Sequence, residues 1–133
     1  MPFIHRLQVR FADTDAQQHV YFANHLTFFD EAVSAFFREI GFPWQRLLEL
    51  GIDFVYAGAK VSFEGRATFE EILEIEVSGV AIGNSSLTLT LVSKKSDASI
   101  VSRGELVSVC VDRSTMKPVR VPDLIRNAVS HQG

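Results

Sequence analysis

The sequence contains a single cysteine, Cys110, among 133 residues. A lone thiol closes no internal disulfide and has no companions for a thiolate cage, which argues against structural zinc and makes a reducing cytoplasm the expected setting. No run approaches the ~18 apolar residues of a membrane span. The opening residues Met1-Pro2-Phe3-Ile4-His5-Arg6 lack the apolar stretch of a secretory leader. The expectation is a soluble chain with no targeting segment and no membrane insertion. Positive charge is also scarce. The formal net charge is −3 and no basic stripe is interleaved with aromatics, which argues against nucleic acid as a partner. Glycine-rich phosphate loops, a Gly-x-Ser-x-Gly elbow and His-Glu-x-x-His are all missing, and the enzyme classes they serve lose support. No repeat, linker or low-complexity tract divides the chain, so residues 1–133 are read as one domain.

What is present is apolar residue in regular patterns, 47% of the chain. Ile4, Arg6, Gln8 and Arg10 alternate with His5, Leu7, Val9 and Phe11, which predicts a first strand with its apolar face on the odd positions. From Asn24 onward Phe29, Ala32, Val33, Phe36, Phe37 and Ile40 recur at helical spacing, and Gly41 and Pro43 supply the stop. A short helical turn over Trp44 to Leu50 follows. Strands are then expected at Asp53 to Phe63, Ile72 to Ile82, Ser86 to Lys94 and Ile100 to Asp112, with turns at Gly83-Asn84 and Ser96-Asp97. Pro122 opens a short closing helix. The clean alternation of Leu87, Leu89 and Leu91 implies an antiparallel sheet with one apolar face. One long helix must cover that face, giving an α+β domain of a five-stranded antiparallel sheet wrapped around one helix.

The chemistry-bearing candidates cluster between the first strand and that helix. Asp13 and Asp15 lie two apart, so one points into a cleft while the other caps a turn or faces solvent. An Asp-x-Asp before a helix is often only a capping device, and two aspartates with His19 do not make a metal loop. No metal site is expected. His19 has three available roles: orienting a carboxylate, donating to a substrate carbonyl, or packing on the helix start. Tyr21, Phe22, Phe28 and Phe29 are core rings by default, yet such rings also line acyl or aryl pockets. Cys110, in an alternating strand with no histidine near it in sequence, reads as a buried structural thiol. A basic tail, Arg113, Lys117, Arg120 and Arg126 against Asp123, offers a local anion patch or plain solvated charge.

Phe11-Ala12-Asp13-Thr14-Asp15, His19-Val20-Tyr21-Phe22-Ala23-Asn24 and Phe28-Phe29-Asp30-Glu31-Ala32 together resemble the hotdog-fold thioesterases of the 4-hydroxybenzoyl-CoA thioesterase type. Weaker matches at Val61-Ser62-Phe63, Ser85-Ser86 and Val109-Cys110-Val111-Asp112 extend the resemblance over nearly the whole chain. It implies a hotdog fold and hydrolysis of an acyl-CoA thioester without a cofactor, coenzyme A being part of the substrate. Asp15 is then the nucleophile or general base, and the Phe22 backbone N–H polarises the thioester carbonyl, with His19 as a further catalytic candidate. Gln18, Tyr21, Phe28, Phe29, Lys60, Lys94 and Lys95 are the substrate-binding candidates. The resemblance also implies a homodimer, or a dimer of dimers, with the site at a subunit interface. Two departures stand out: Gln17-Gln18 replaces a glycine common before the His position, and Ile82-Gly83-Asn84 lacks the cation that some relatives carry before the Ser85-Ser86 match. A hotdog hydratase using His19 and Asp15, and a binding module that has lost turnover, are the alternative readings.

Overall fold

The computed structural model describes residues 2–132, and side chains as far as residue 130. The chain begins with β1 (Phe3–Gln8), in which Phe3, His5 and Leu7 are half-buried while Ile4, Arg6 and Gln8 face solvent. Through Val9 this is the odd-face pattern that the alternation predicts, but the strand ends at Gln8, and Phe11, expected on the apolar face, is 75% exposed in a turn. A single 3-10 turn, Phe11–Asp13, and a loop lead into α1 (Asn24–Glu39) and then α2 (Trp44–Glu49). Four strands follow: β2 (Ile52–Phe63), β3 (Ile72–Ile82), β4 (Ser86–Lys95) and β5 (Ile100–Asp112). The chain closes with α3 (Asp123–Gln132).

The five strands form one antiparallel sheet in the order β1-β3-β4-β5-β2. Every strand therefore pairs with a neighbour, and β1 and β2 are left as edges. Register shifts at Tyr56/Gly58 in β2 and Val77/Gly79 in β3 mark bulges, which increase twist and bend a strand. The sheet bends around α1, whose Phe28, Phe29, Ala32, Val33, Phe36 and Phe37 are buried. This is the hotdog arrangement. Burial of a large aromatic ring removes enough apolar surface to stabilise by about 2–3 kcal/mol, so this face of α1 dominates the core.

Gly104 in β5 shows how closely helix and sheet approach. A Cβ at that position would lie well inside van der Waals contact of the fully buried Phe29 ring, so only a hydrogen fits. At the other end of α1, Gly41 takes φ +92, a left-handed conformation that ends the helix and that side-chain-bearing residues adopt at a cost.

The long helix does not cover the core alone, contrary to the sequence reading. Leu47 of α2 and Ile125 and Val129 of α3 are buried in the same cluster. Short helices escape a periodicity argument because two or three buried positions leave little pattern to detect. The basic tail also resolves differently. Arg113 lies 3.6 Å from Asp53, Arg120 pairs with Asp123, and Arg126 donates to the carbonyls of Val121, Gly83 and Asn84. Arg126 thus ties α3 to the β3-β4 turn, and the tail is an anchor more than an open anion patch. Among the described residues no helix is long and apolar enough to cross a membrane.

Candidate active site

The loop between β1 and α1 is a small antiparallel ladder. The Tyr21 N–H donates to Asp13 O, Thr14 pairs with Val20, and the Asp15 N–H donates to His19 O. The Gln18 N–H returns to Asp15 O, closing a three-residue tip of Ala16, Gln17 and Gln18. Such a tip is a type I turn followed by one residue in the left-handed region, where glycine is normally found. Here that residue is Gln18, at φ +67. The glycine expected from relatives is thus replaced without loss of the turn.

The two aspartates part company. Asp13 is 1% exposed, and its carboxylate is gripped by Arg10 and also accepts from Asn24 Nδ2 at 3.3 Å. Burial pushes its pKa up, but the hydrogen bonds and charge of Arg10 outweigh that and hold it below the usual carboxylate value. It is a structural brace that ties the loop to the first turn of α1. Asp15 lies on an open groove of about 710 Å³, shared with Phe11, Thr14, Ala16, Gln18, Thr68 and Phe69. Its Oδ1 accepts the Gln17 N–H at 2.8 Å, and Oδ2 makes no hydrogen bond among the described residues. Asp13 is employed wholly in local structure, while Asp15 lines the groove and also accepts the local bond from Gln17.

Phe22 stands three residues past His19, the ladder partner of Asp15, in the turn that enters α1. Among the described residues nothing accepts a hydrogen bond from its backbone N–H. Unpaired N–H groups at a helix start carry partial positive charge and attract anions. Phe22 does not line the Asp15 groove; its ring packs on Tyr21 and Phe63, with centroids 4.9 and 6.3 Å away. His19 is half-buried, and its Nδ1 lies 3.2 Å from Val20 O, which occupies the ring in local structure.

Other sequence candidates are dispersed. Phe28 and Phe29 are core rings, at 5% and 0% exposure, because helical spacing turns them toward the sheet; neither lines the Asp15 groove. Lys94 and Lys95 sit near Glu76 and Glu71 at 3.6 and 3.5 Å across the β3-β4 pair. Lys60 is exposed on β2 in a shallow cleft with Arg103 and Glu105. Cys110 is buried, and burial followed by the charge of Asp53 pushes its thiol up to about 11, so it is no nucleophile at neutral pH.

Two features escaped the sequence reading. His25 is 4% exposed, its ring packs on Phe28 and Phe63, and its Nδ1 has no partner among the described residues. Burial, and then the nearby His19, lower its pKa and favour the neutral ring. The signal was available, since positions 25, 28, 29 and 32 continue the helical stripe backwards. A second cavity, of about 440 Å³, opens between α1, α2 and β2. Phe37, Phe42, Trp44 and Phe54 contribute aromatic walls, and the Tyr56 hydroxyl donates to Asp30 Oδ1 at 2.8 Å on its lining. No residue of the Asp15 loop lines it.

Comparison with known proteins places this geometry among relatives. The acyl-CoA thioester hydrolase YbgC of Escherichia coli is 29% identical over 119 residues, covering 90% of this chain and 89% of that protein. A Staphylococcus aureus protein solved in complex with CoA superposes with a TM-score of 0.90 at 17% identity, covering 99% of this chain and 84% of that one. A gentisyl-coenzyme A thioesterase superposes with a TM-score of 0.84 at 26% identity, over 96% and 99% of the two chains. The family profile of the thioesterase-like superfamily matches residues 9–129, a span that takes in the Asp15 loop and all of the sheet after β1. The chain is a member of the thioesterase-like superfamily.

Proposed function

We propose that this protein hydrolyses an acyl- or aryl-coenzyme A thioester to the free acid and coenzyme A, with Asp15 as the reacting carboxylate. The observation that carries this reading is Asp15 itself, held by the Gln17 N–H through one oxygen and set in an open groove, where Asp13 is buried and already paired. Family membership and the activities of the E. coli and gentisyl-coenzyme A relatives supply the substrate class. Asp15 either attacks the thioester carbonyl carbon, breaking the C–S bond to release the coenzyme A thiolate and leaving an anhydride that water opens, or takes a proton from water as water attacks and the thiolate departs. The Phe22 N–H is the assigned donor to the carbonyl oxygen as it gains negative charge. A donor in that role contributes about 3 kcal/mol to the barrier reduction.

We assign the working form as a homodimer formed through β2. That strand is a sheet edge, its residues from Tyr56 to Lys60 are exposed, and an unpaired edge is a template for another strand. Lys60 on that strand is the cation proposed to meet a coenzyme A phosphate, since Lys94 and Lys95 already face carboxylates. The test is a thiol-release assay over short, long and aromatic acyl-coenzyme A substrates. Saturable release of thiol from at least one of them is expected. Tight binding with no release from any of them would make the protein a binding module, and loss of enoyl absorbance without thiol release would make it a hydratase.

A further inference from the structure

We propose that the Gln18 carboxamide positions the water that hydrolyses the thioester, acting beside Asp15. The inference rests on the thioesterase reading above and concerns how that same groove is equipped. Gln18 occupies a left-handed position, φ +67, at which a side-chain-bearing residue costs roughly 1 kcal/mol relative to glycine. The turn does not need this side chain, because its backbone bonds are those any residue would make. Glu70, Ala98 and Met116 also take positive φ, so it is the position of Gln18 on the Asp15 groove that asks what its carboxamide supplies.

Four polar side chains line the groove: Thr14, Asp15, Gln18 and Thr68. The Thr14 hydroxyl donates to Phe11 O at 2.7 Å, and the Thr68 hydroxyl donates to Glu71 Oε1 at 2.7 Å. Asp15 Oδ1 is engaged by the Gln17 N–H. Each threonine hydroxyl has committed its proton and keeps only acceptor capacity, whereas Asp15 Oδ2 and the whole carboxamide of Gln18 make no hydrogen bond among the described residues. A water on Asp15 Oδ2 points one proton at the carboxylate and needs an acceptor for the other to fix the direction of its lone pair. Gln18 Oε1, on the same groove, is that acceptor. In the step, Asp15 takes one water proton while the water oxygen bonds to the carbonyl carbon. The tetrahedral oxyanion then collapses, the C–S bond breaks, and the departing thiolate receives the proton from Asp15. The products are the acid and the free thiol.

The experiment compares wild type, Gln18→Gly and Gln18→Ala by steady-state thiol release, thermal melting and partition of the acyl group between water and added hydroxylamine. Hydroxylamine is a strong nucleophile that needs less orientation, so loss of Gln18 lowers hydrolysis more than hydroxamate formation. Loss of one oriented hydrogen bond predicts a kcat about tenfold lower with KM little changed. Gln18→Gly melts higher than wild type because the backbone strain is gone, so reduced turnover cannot be blamed on unfolding. A Gln18→Gly kcat within twofold of wild type, or an unchanged water-to-hydroxylamine ratio in both variants, overturns the proposal. Absence of thiol release by wild type itself overturns the thioesterase reading instead.

Discussion

Arg10 grips Asp13 from three directions: its backbone N–H and Nε donate to Oδ2 at 2.8 and 3.2 Å, and Nη2 donates to Oδ1 at 2.9 Å. The pair converts an acidic side chain two residues from the proposed reacting carboxylate into a fixed part of the loop. Replacing Asp13 by alanine leaves Arg10 and Asn24 unpartnered, and a loss of about 2 kcal/mol is expected in chemical denaturation. The carboxyl's folded pKa lies below its unfolded value, so its contribution is complete above the ordinary carboxylate range and disappears as pH falls through the folded value. Wild type should therefore lose melting temperature faster than Asp13→Ala as pH drops below about 4.

Asp15→Asn separates the two carboxylates. Its amide cannot take a proton or attack, while the Oδ1 that accepts from Gln17 is retained. Thiol release is expected to fall about 100-fold or more, with an unchanged circular dichroism spectrum and melting temperature. Turnover at the wild-type level would remove Asp15 from the reaction.

The Phe22 donor is a backbone group, so only proline deletes it. Because that N–H donates to no described residue, Phe22→Pro removes no structural hydrogen bond. Phe22→Ala controls for the lost ring. We expect kcat to fall about 100-fold in Phe22→Pro beyond any change in Phe22→Ala. Equal rates in the two variants would show that the N–H does not touch the developing charge.

Gly104 reports on the fit of helix to sheet. Gly104→Ala forces the Phe29 ring out of its place, and overpacking of this kind costs about 1–3 kcal/mol. Denaturant midpoints measure it. Gly79, where an added methyl group would make only ordinary contact with Thr90, is the comparison site and should tolerate alanine with a far smaller change.

Tyr56 is 47% exposed as a residue, but its phenol lines the cavity beside Asp30, and desolvation there, followed by the hydrogen bond to Asp30, pushes the phenol above its ordinary range. In a Tyr21→Phe background the remaining phenol is Tyr56 alone. Its ultraviolet titration should be absent through about pH 11, and Asp30→Asn should bring it down. Ionisation near the value of free tyrosine would contradict the Tyr56–Asp30 bond.

Nearly all element boundaries were legible in the sequence, because periods of 2 and 3.6 are local properties of strands and helices. The β3 and β5 limits match the sequence pattern, β2 starts one residue earlier and β4 ends one later, while β1 stops at Gln8, three residues short of the expected Phe11, because the chain turns there to let Arg10 hold Asp13. The carboxylate-bearing loop was legible for the same reason, since it lies between two strongly patterned segments. Residue pattern alone did not divide its labour; only the family resemblance singled out Asp15. Asp13 and Asp15 are chemically identical, and only Arg10 folding back and the ladder to Tyr21 decide which one is buried.

Phe22, Phe28 and Phe29 make the same point for the rings. Sequence alone permits each to be wall or core. Tertiary structure sends Phe29 against Gly104 and leaves Phe22 exposed beside Phe63 at the end of β2. The sequence by itself determined the fold class, the order of elements and the place of the loop, through short-range pattern and propensity. The tertiary structure decided which carboxylate is free, which rings are sealed in and that Gln18 shares a groove with Asp15, because those outcomes depend on contacts that local pattern does not encode.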